Sequence, residues 1–183
     1  MRYKLADLTL AVLISGWGSN LQALIDACAD PAFPARIVRV LCNVPGAPGL
    51  DRAAKAGIPT SVIDHKAYPD RAAFDAALGD ELEKCDPGLV CLAGFMRILG
   101  NEFVTAFEGR LINIHPSLLP AFKGLNVPAR VLESGARFSG CTVHFVRPET
   151  DSGPIIIQSA VPVLADDTAE SLSARVLATE HKC

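Results

Sequence analysis

The sequence carries no surplus of basic residues: 17 Lys and Arg stand against 20 Asp and Glu, for a formal net charge of −3. Nucleic-acid binders usually show a basic excess, so that class of partner is disfavoured. A small anion held locally is not. No apolar run is long enough for a membrane span, which takes about 20 residues. The longest runs, residues 9–14 and 89–95, fall well short of that. The N-terminal residues Met1-Arg2-Tyr3-Lys4 lead through Asp7 into a strand-like run and lack the uninterrupted apolar region of a signal peptide. The cysteines, Cys28, Cys42, Cys85, Cys91, Cys141 and Cys183, include no CxxC pair, and most lie inside apolar runs. A disulfide framework or a zinc site is therefore disfavoured against buried thiols in a reducing cytoplasm. No internal repeat, low-complexity tract or linker divides the chain. Its 183 residues, 50% of them hydrophobic, suit a single domain with a sizeable core.

What is present is an alternation of strands and helices. Residues 9–14 form a continuous apolar run with β-branched members, as expected of a buried parallel strand. A glycine-rich turn follows, then Leu21, Leu24, Ile25 and Cys28 at helical spacing, with Ser19 or Asn20 as the expected N-cap. Further strands are expected at residues 37–42, 60–63, 89–93 and 111–114, and helices at 50–56 and 71–85. A loop or short helix follows Gly94. This rhythm implies an α/β fold, a Rossmann-like, mostly parallel sheet with helices on both faces. After about residue 120 the pattern changes. A helix at 129–134 is followed by strands at 140–145 and 155–163, which bring antiparallel strands into the C-terminal part, and then by a helix at 168–182 capped by Asp167 or Thr168. The expected organisation is one domain with an N-terminal nucleotide-binding half, about 8–110, and a C-terminal catalytic half, about 111–183. Cys183 follows the last helix without a cap or a further element, so the natural chain is expected to continue beyond it.

Two places carry chemistry. Gly16-Trp17-Gly18-Ser19-Asn20 lies between a buried strand and a helix. Glycines allow a tight turn, and the first helical amides and the dipole attract phosphate. The turn is neither G-x-G-x-x-G, because Leu21 takes the third glycine position, nor a P-loop, because no Lys-Ser/Thr pair follows. A phosphate monoester or sugar phosphate fits better than a dinucleotide, although an ordinary capped turn has the same composition. The second place is Asn113-Ile114-His115-Pro116-Ser117. Asn113 and His115 share one face of a strand, near its carboxyl end, the usual ligand side of an open α/β sheet. Imidazole transfers protons near neutral pH, and a carboxamide N–H stabilises an oxyanion, so the pair suits attack on a carbonyl carbon. A lone strand-end histidine is commonly structural, and Ser117 can bond to the backbone. The absence of G-x-S-x-G disfavours a serine hydrolase. Asp151, in the turn Thr150-Asp151-Ser152-Gly153-Pro154, could orient the His115 ring and hold its proton.

These segments together resemble the folate-dependent formyltransferases. The resemblance rests on Ile14-Ser15-Gly16-x-Gly18-Ser19-Asn20-Leu21-Gln22, on Ala93-Gly94-Phe95-Met96-Arg97-Ile98-Leu99, on Asn113-Ile114-His115-Pro116-Ser117-Leu118-Leu119-Pro120, and on Gly140-Cys141-Thr142-Val143-His144-Phe145-Val146 leading to Asp151-x-Gly153-Pro154. It covers the chain from about residue 9 onward. It implies a cytoplasmic enzyme of de novo purine biosynthesis that transfers a formyl group from 10-formyltetrahydrofolate to the amino group of glycinamide ribonucleotide. Metal, membrane and nucleic acid have no part in that reaction, and a homodimer remains open. By the same resemblance His115 handles the proton, Asn113 holds the oxyanion and contacts the donor, and Asp151 orients His115. Gly18, Ser19 and Asn20 hold the substrate phosphate, and Glu180 contacts the glycinamide part. Met96, Arg97, Ile98 and Leu99 line the pterin pocket, Arg147, Pro148, Glu149, Thr150 and Asp151 close over it, and Arg71 reaches the folate.

Blander readings stand beside these. Arg71 resembles ordinary surface charge, residues 96–99 a packing loop, His144 a structural strand residue, and Glu180 a helix acid supported by the resemblance alone. The sequence also departs from the family pattern. Trp17 replaces a small polar or basic residue, Pro128 and Arg130 replace a common His and Gln, and Ser152 replaces a glycine. The rival readings are a formyltetrahydrofolate deformylase, which usually has His-His-Ser where this chain has His115-Pro116-Ser117, and a longer methionyl-tRNA formyltransferase. A non-catalytic sugar-phosphate binding module would leave Asn113, His115 and Asp151 without a task.

Overall fold

The computed structural model describes residues 8–183, so the N-terminal reading of residues 1–7 lies outside the described residues. The described residues form two compact units, residues 8–111 and 112–183.

In the first unit, strands β1 (Leu8–Ile14), β2 (Ala35–Cys42), β3 (Thr60–Val62) and β4 (Leu89–Leu92) run parallel in the order β3-β2-β1-β4. The central strand β1 is fully enclosed from Ala11 to Ile14, which explains its unbroken apolar sequence. Helices α1 (Ser19–Cys28), α2 (Pro48–Lys55), α3 (Arg71–Glu83) and α4 (Asn101–Ala106) connect and flank the strands. Helix α1 packs on α2, and α3 on α4. Of the apolar side expected for α3, Phe74, Leu78 and Leu82 are buried and Ala77 is half-buried, and Asp75 is buried with them.

The second unit contains β5 (Leu111–His115) from its second residue onward, β6 (Phe138–Phe145) and β7 (Ile155–Pro162), joined antiparallel in that order. Helices α5 (Val127–Ser134) and α6 (Ala169–Glu180) pack together. Its core is Val127, Val131, Cys141, Val161, Leu172 and Val176. Thr168 caps α6 by accepting from Ser171 N, while the Ser171 hydroxyl accepts from Thr168 N.

The mostly parallel α/β fold with antiparallel C-terminal strands matches the expectation. Several local readings are corrected. Helix α1 is capped by Gly18 in the left-handed region, φ 69°, rather than by Ser19 or Asn20, because the glycine turn itself redirects the chain. Helix α5 begins at Val127, with Pro128 inside its first turn, where a missing N–H costs nothing. The long helix stops at Glu83, not residue 85, and α6 stops at Glu180, not residue 182. A short 3-10 helix, His65–Ala67, has no counterpart in the sequence pattern. No helix among the described residues is long and apolar enough to cross a membrane.

Candidate active site

The end of β5 holds the candidate site residues of the second unit. His115 is buried, at 6% exposure. Its Nε2 lies 3.1 Å from the Phe122 carbonyl oxygen, which can only accept, so Nε2 carries a hydrogen. Its Nδ1 lies 3.4 Å from Asp151 Oδ1. The structure thus brings His115 and Asp151 together, 36 positions apart in sequence. The other Asp151 oxygen accepts from Gly124 N at 2.7 Å. Two anchors therefore define the carboxylate, and a proton on Nδ1 would face it directly. Asp151 sits at φ 47°, a left-handed conformation uncommon for a residue with a side chain. Gly153 follows at φ 115°, where a Cβ would lie 2.3 Å from the Phe145 oxygen, so this turn requires glycine.

Asn113 stands opposite His144 in the β5–β6 register. His144 Nδ1 lies 3.0 Å from the Phe145 carbonyl oxygen, to which it must donate, which leaves Nε2 as an acceptor. The Asn113 amide nitrogen lies 3.4 Å from that Nε2. His144 is 1% exposed and orients the carboxamide. The sequence alone marks it only as a strand residue; the β5–β6 register is what sets it opposite Asn113. Thr142, opposite His115, is a second buried support. Its hydroxyl donates to the Ser117 carbonyl at 2.6 Å and accepts from Leu119 N at 3.0 Å. The Ser117 hydroxyl donates to the Ala121 carbonyl at 2.6 Å, so it holds backbone. Arg147, Pro148, Glu149 and Thr150 form the turn before Asp151, with Pro148, Glu149 and Thr150 exposed. Ser152 closes this turn by donating to the Glu149 carbonyl. Glu180 is the last residue of α6, and its charge acts on Cys141, whose thiol is pushed up to about 12, mainly by burial.

In the first unit, the glycine turn opens α1 with no side chain capping it. The first helical bond runs from Gln22 N to Gly18 O. A Cβ at Gly18 would lie 2.8 Å from the Gly49 Cα, so the turn needs glycine for close approach as well as for its φ. Trp17 is 76% exposed, and its carbonyl accepts from Arg52 Nε at 2.8 Å. Met96, Arg97 and Ile98 are exposed in the loop after β4, whereas Leu99 is buried. Arg71 opens α3 at the surface, beside a groove of about 630 Å³ that it lines with Asp75, Gly100 and Phe103. That groove includes none of Gly18, Ser19 and Asn20. Among the described residues no group of three His, Cys, Asp or Glu side chains is placed to hold a metal ion.

The fold and the sequence together place the chain in a known class. Residues 8–183 match the Formyl transferase family, and the chain belongs to it. The bovine trifunctional purine biosynthetic protein adenosine-3 is 57% identical over 173 residues, covering 94% of this chain and 17% of that protein. The chain thus spans less than a fifth of the length of the trifunctional relatives it matches. The phosphoribosylglycinamide formyltransferase of Escherichia coli (strain K12) is 47% identical over 174 residues, 95% of this chain and 82% of the relative. The crystal structure of glycinamide ribonucleotide transformylase 1 from Symbiobacterium toebii superposes with a TM-score of 0.94 at 49% identity, covering 99% of this chain and 84% of that one.

Proposed function

We propose that this chain transfers the formyl group of 10-formyltetrahydrofolate to the amino group of glycinamide ribonucleotide, a cytoplasmic step of purine biosynthesis. The observation that carries the reading is the set of His115, Asp151 and Asn113, with Asp151 3.4 Å from His115 and Asn113 held by His144. Family membership and the names of the relatives support it. The nucleotide amine attacks the formyl carbon, and the carbonyl oxygen becomes an oxyanion that the Asn113 amide meets as a donor. The C–N bond to the folate then breaks. The proton lost by the amine is relayed by His115 to the departing folate nitrogen, while Asp151 faces the charged ring. For this, His115 Nε2 exchanges the Phe122 carbonyl for the reacting groups. No metal ion is invoked.

Gly18, Ser19 and Asn20 take the nucleotide phosphate at the α1 N-terminus, and Glu180 contacts the glycinamide part. Met96, Arg97, Ile98 and Leu99, with Arg71, Asn113 and the turn from Arg147 to Asp151, serve the folate. In this reading the first half of the domain binds nucleotide and the second carries the catalytic groups.

The test is to incubate the protein with 10-formyltetrahydrofolate, with and without glycinamide ribonucleotide, and follow loss of the donor. Amine-dependent consumption is expected. Amine-independent consumption would assign a deformylase instead, and no consumption by the full-length protein would overturn both enzymatic readings.

A further inference from the structure

The loop between β4 and α4 is pinned at both ends. At its start, Ser15 N donates to the Gly94 carbonyl at 3.2 Å, and Met96 N donates to Ser15 Oγ at 2.7 Å. At its end, Gly100 N donates to Asp75 Oδ2 at 2.6 Å. Between these pins the loop presents Met96, 70% exposed, and Ile98, 66% exposed. Apolar side chains offered to solvent on a backbone held at both ends are a pre-organised ligand surface, because the ordering cost is met before the ligand arrives.

Asp75 is the unexpected pin. It lies on the buried face of α3, where the helical period calls for an apolar residue, and is 7% exposed. Its second oxygen, Oδ1, is buried without a hydrogen-bond partner. Burial pushes its carboxyl up, against the Gly100 N–H and the nearby charges of Arg71 and Arg97. A carboxylate in this setting is costly relative to a leucine or alanine. Gly100 is matched to it, because a Cβ there would lie 2.9 Å from Oδ2. Its φ of −74° would suit any residue, so glycine serves the close approach and not the backbone.

We propose that Asp75 is a positioning residue for the formyl donor: through Gly100 it sets the loop whose residues Met96, Arg97, Ile98 and Leu99 receive the folate. The proposal rests on the formyl-transfer reading for the identity of that ligand. Asp75 touches no reacting atom and acts only through the loop.

The test compares D75A, D75N and G100A with the unaltered protein in the formyl-transfer assay. D75A and G100A are expected to raise the KM for 10-formyltetrahydrofolate by about tenfold, with kcat and the nucleotide KM within about threefold. D75N, whose carboxamide oxygen can still accept from Gly100 N, is expected to recover most of the donor KM. A donor KM unchanged in both D75A and G100A would overturn the proposal, as would parallel changes in both KM values and kcat. If D75A does not fold, G100A alone decides by the same criterion. If the unaltered protein transfers no formyl group, the functional reading fails separately. Amide hydrogen exchange at residues 96–99 then decides the pinning: faster exchange in G100A supports it and equal exchange overturns it.

Discussion

His115 has both ring nitrogens engaged, Nε2 by the Phe122 carbonyl and Nδ1 by the Asp151 carboxylate. This occupancy fixes the plane of the ring and leaves two routes for a proton. Phe122 and Asp151 both adopt positive φ, at 54° and 47°. The groups on either side of the imidazole are thus held in conformations that side chains rarely adopt, as is common where geometry serves chemistry. Replacing His115 with alanine is expected to lower turnover by about 10²–10⁴-fold with donor binding largely retained, measured by steady-state kinetics and equilibrium binding. Loss of folding in that variant would instead assign the histidine a structural role. Asn113, His115 and Asp151 were legible as single residues with suitable chemistry. Their supports were not. His144 lies 31 positions from Asn113 and Gly124 lies 27 from Asp151, and no local pattern marks such pairs.

Helix α6 illustrates how an element is secured at its start. Asp167 accepts from both Arg175 guanidinium nitrogens, Nη1 at 2.7 Å and Nη2 at 2.8 Å, and from Ser171 Oγ and Leu164 N. The Arg175 bonds above all hold its carboxyl well below the usual carboxylate range. A carboxyl depressed in the folded state adds stability above its ordinary unfolded value near 3.9, and that stability is lost as the pH falls below it. D167N is expected to lower the Tm at pH 7 by about 2–5 °C. It should also lose less further stability than the unaltered protein between pH 5 and about 3. Thermal melts at the two pH values check both outcomes. The Thr168 cap is legible in sequence because capping follows from adjacent residue types, whereas the grip of Arg175 on Asp167 spans eight positions and no local pattern marks it. Helix α5 starts two residues before the point its sequence pattern implies. Pro128 marks a loop in sequence, yet it fits equally well in a first helical turn.

At the scale of the molecule, each unit has its own core. The first is organised on the enclosed strand β1, the second on Val131, Cys141, Leu172 and Val176 between its helices and strands. Leu172 is fully buried in the second core. Its replacement by alanine is expected to cost about 2–5 kcal/mol, read as a lower denaturant midpoint. The sequence by itself determined the succession of strands and helices, the parallel character of the first four strands and the strand end that carries Asn113 and His115. Those features follow from residue periodicity and turn composition, which act over a few neighbours. Only the tertiary structure decided that Asp75 turns inward to hold Gly100, that His144 orients Asn113, and that Asp151 meets His115. Each pairing joins residues more than twenty positions apart. The physical reason is that a buried polar group must find a partner wherever packing brings one, and packing, unlike periodicity, is a property of the whole chain.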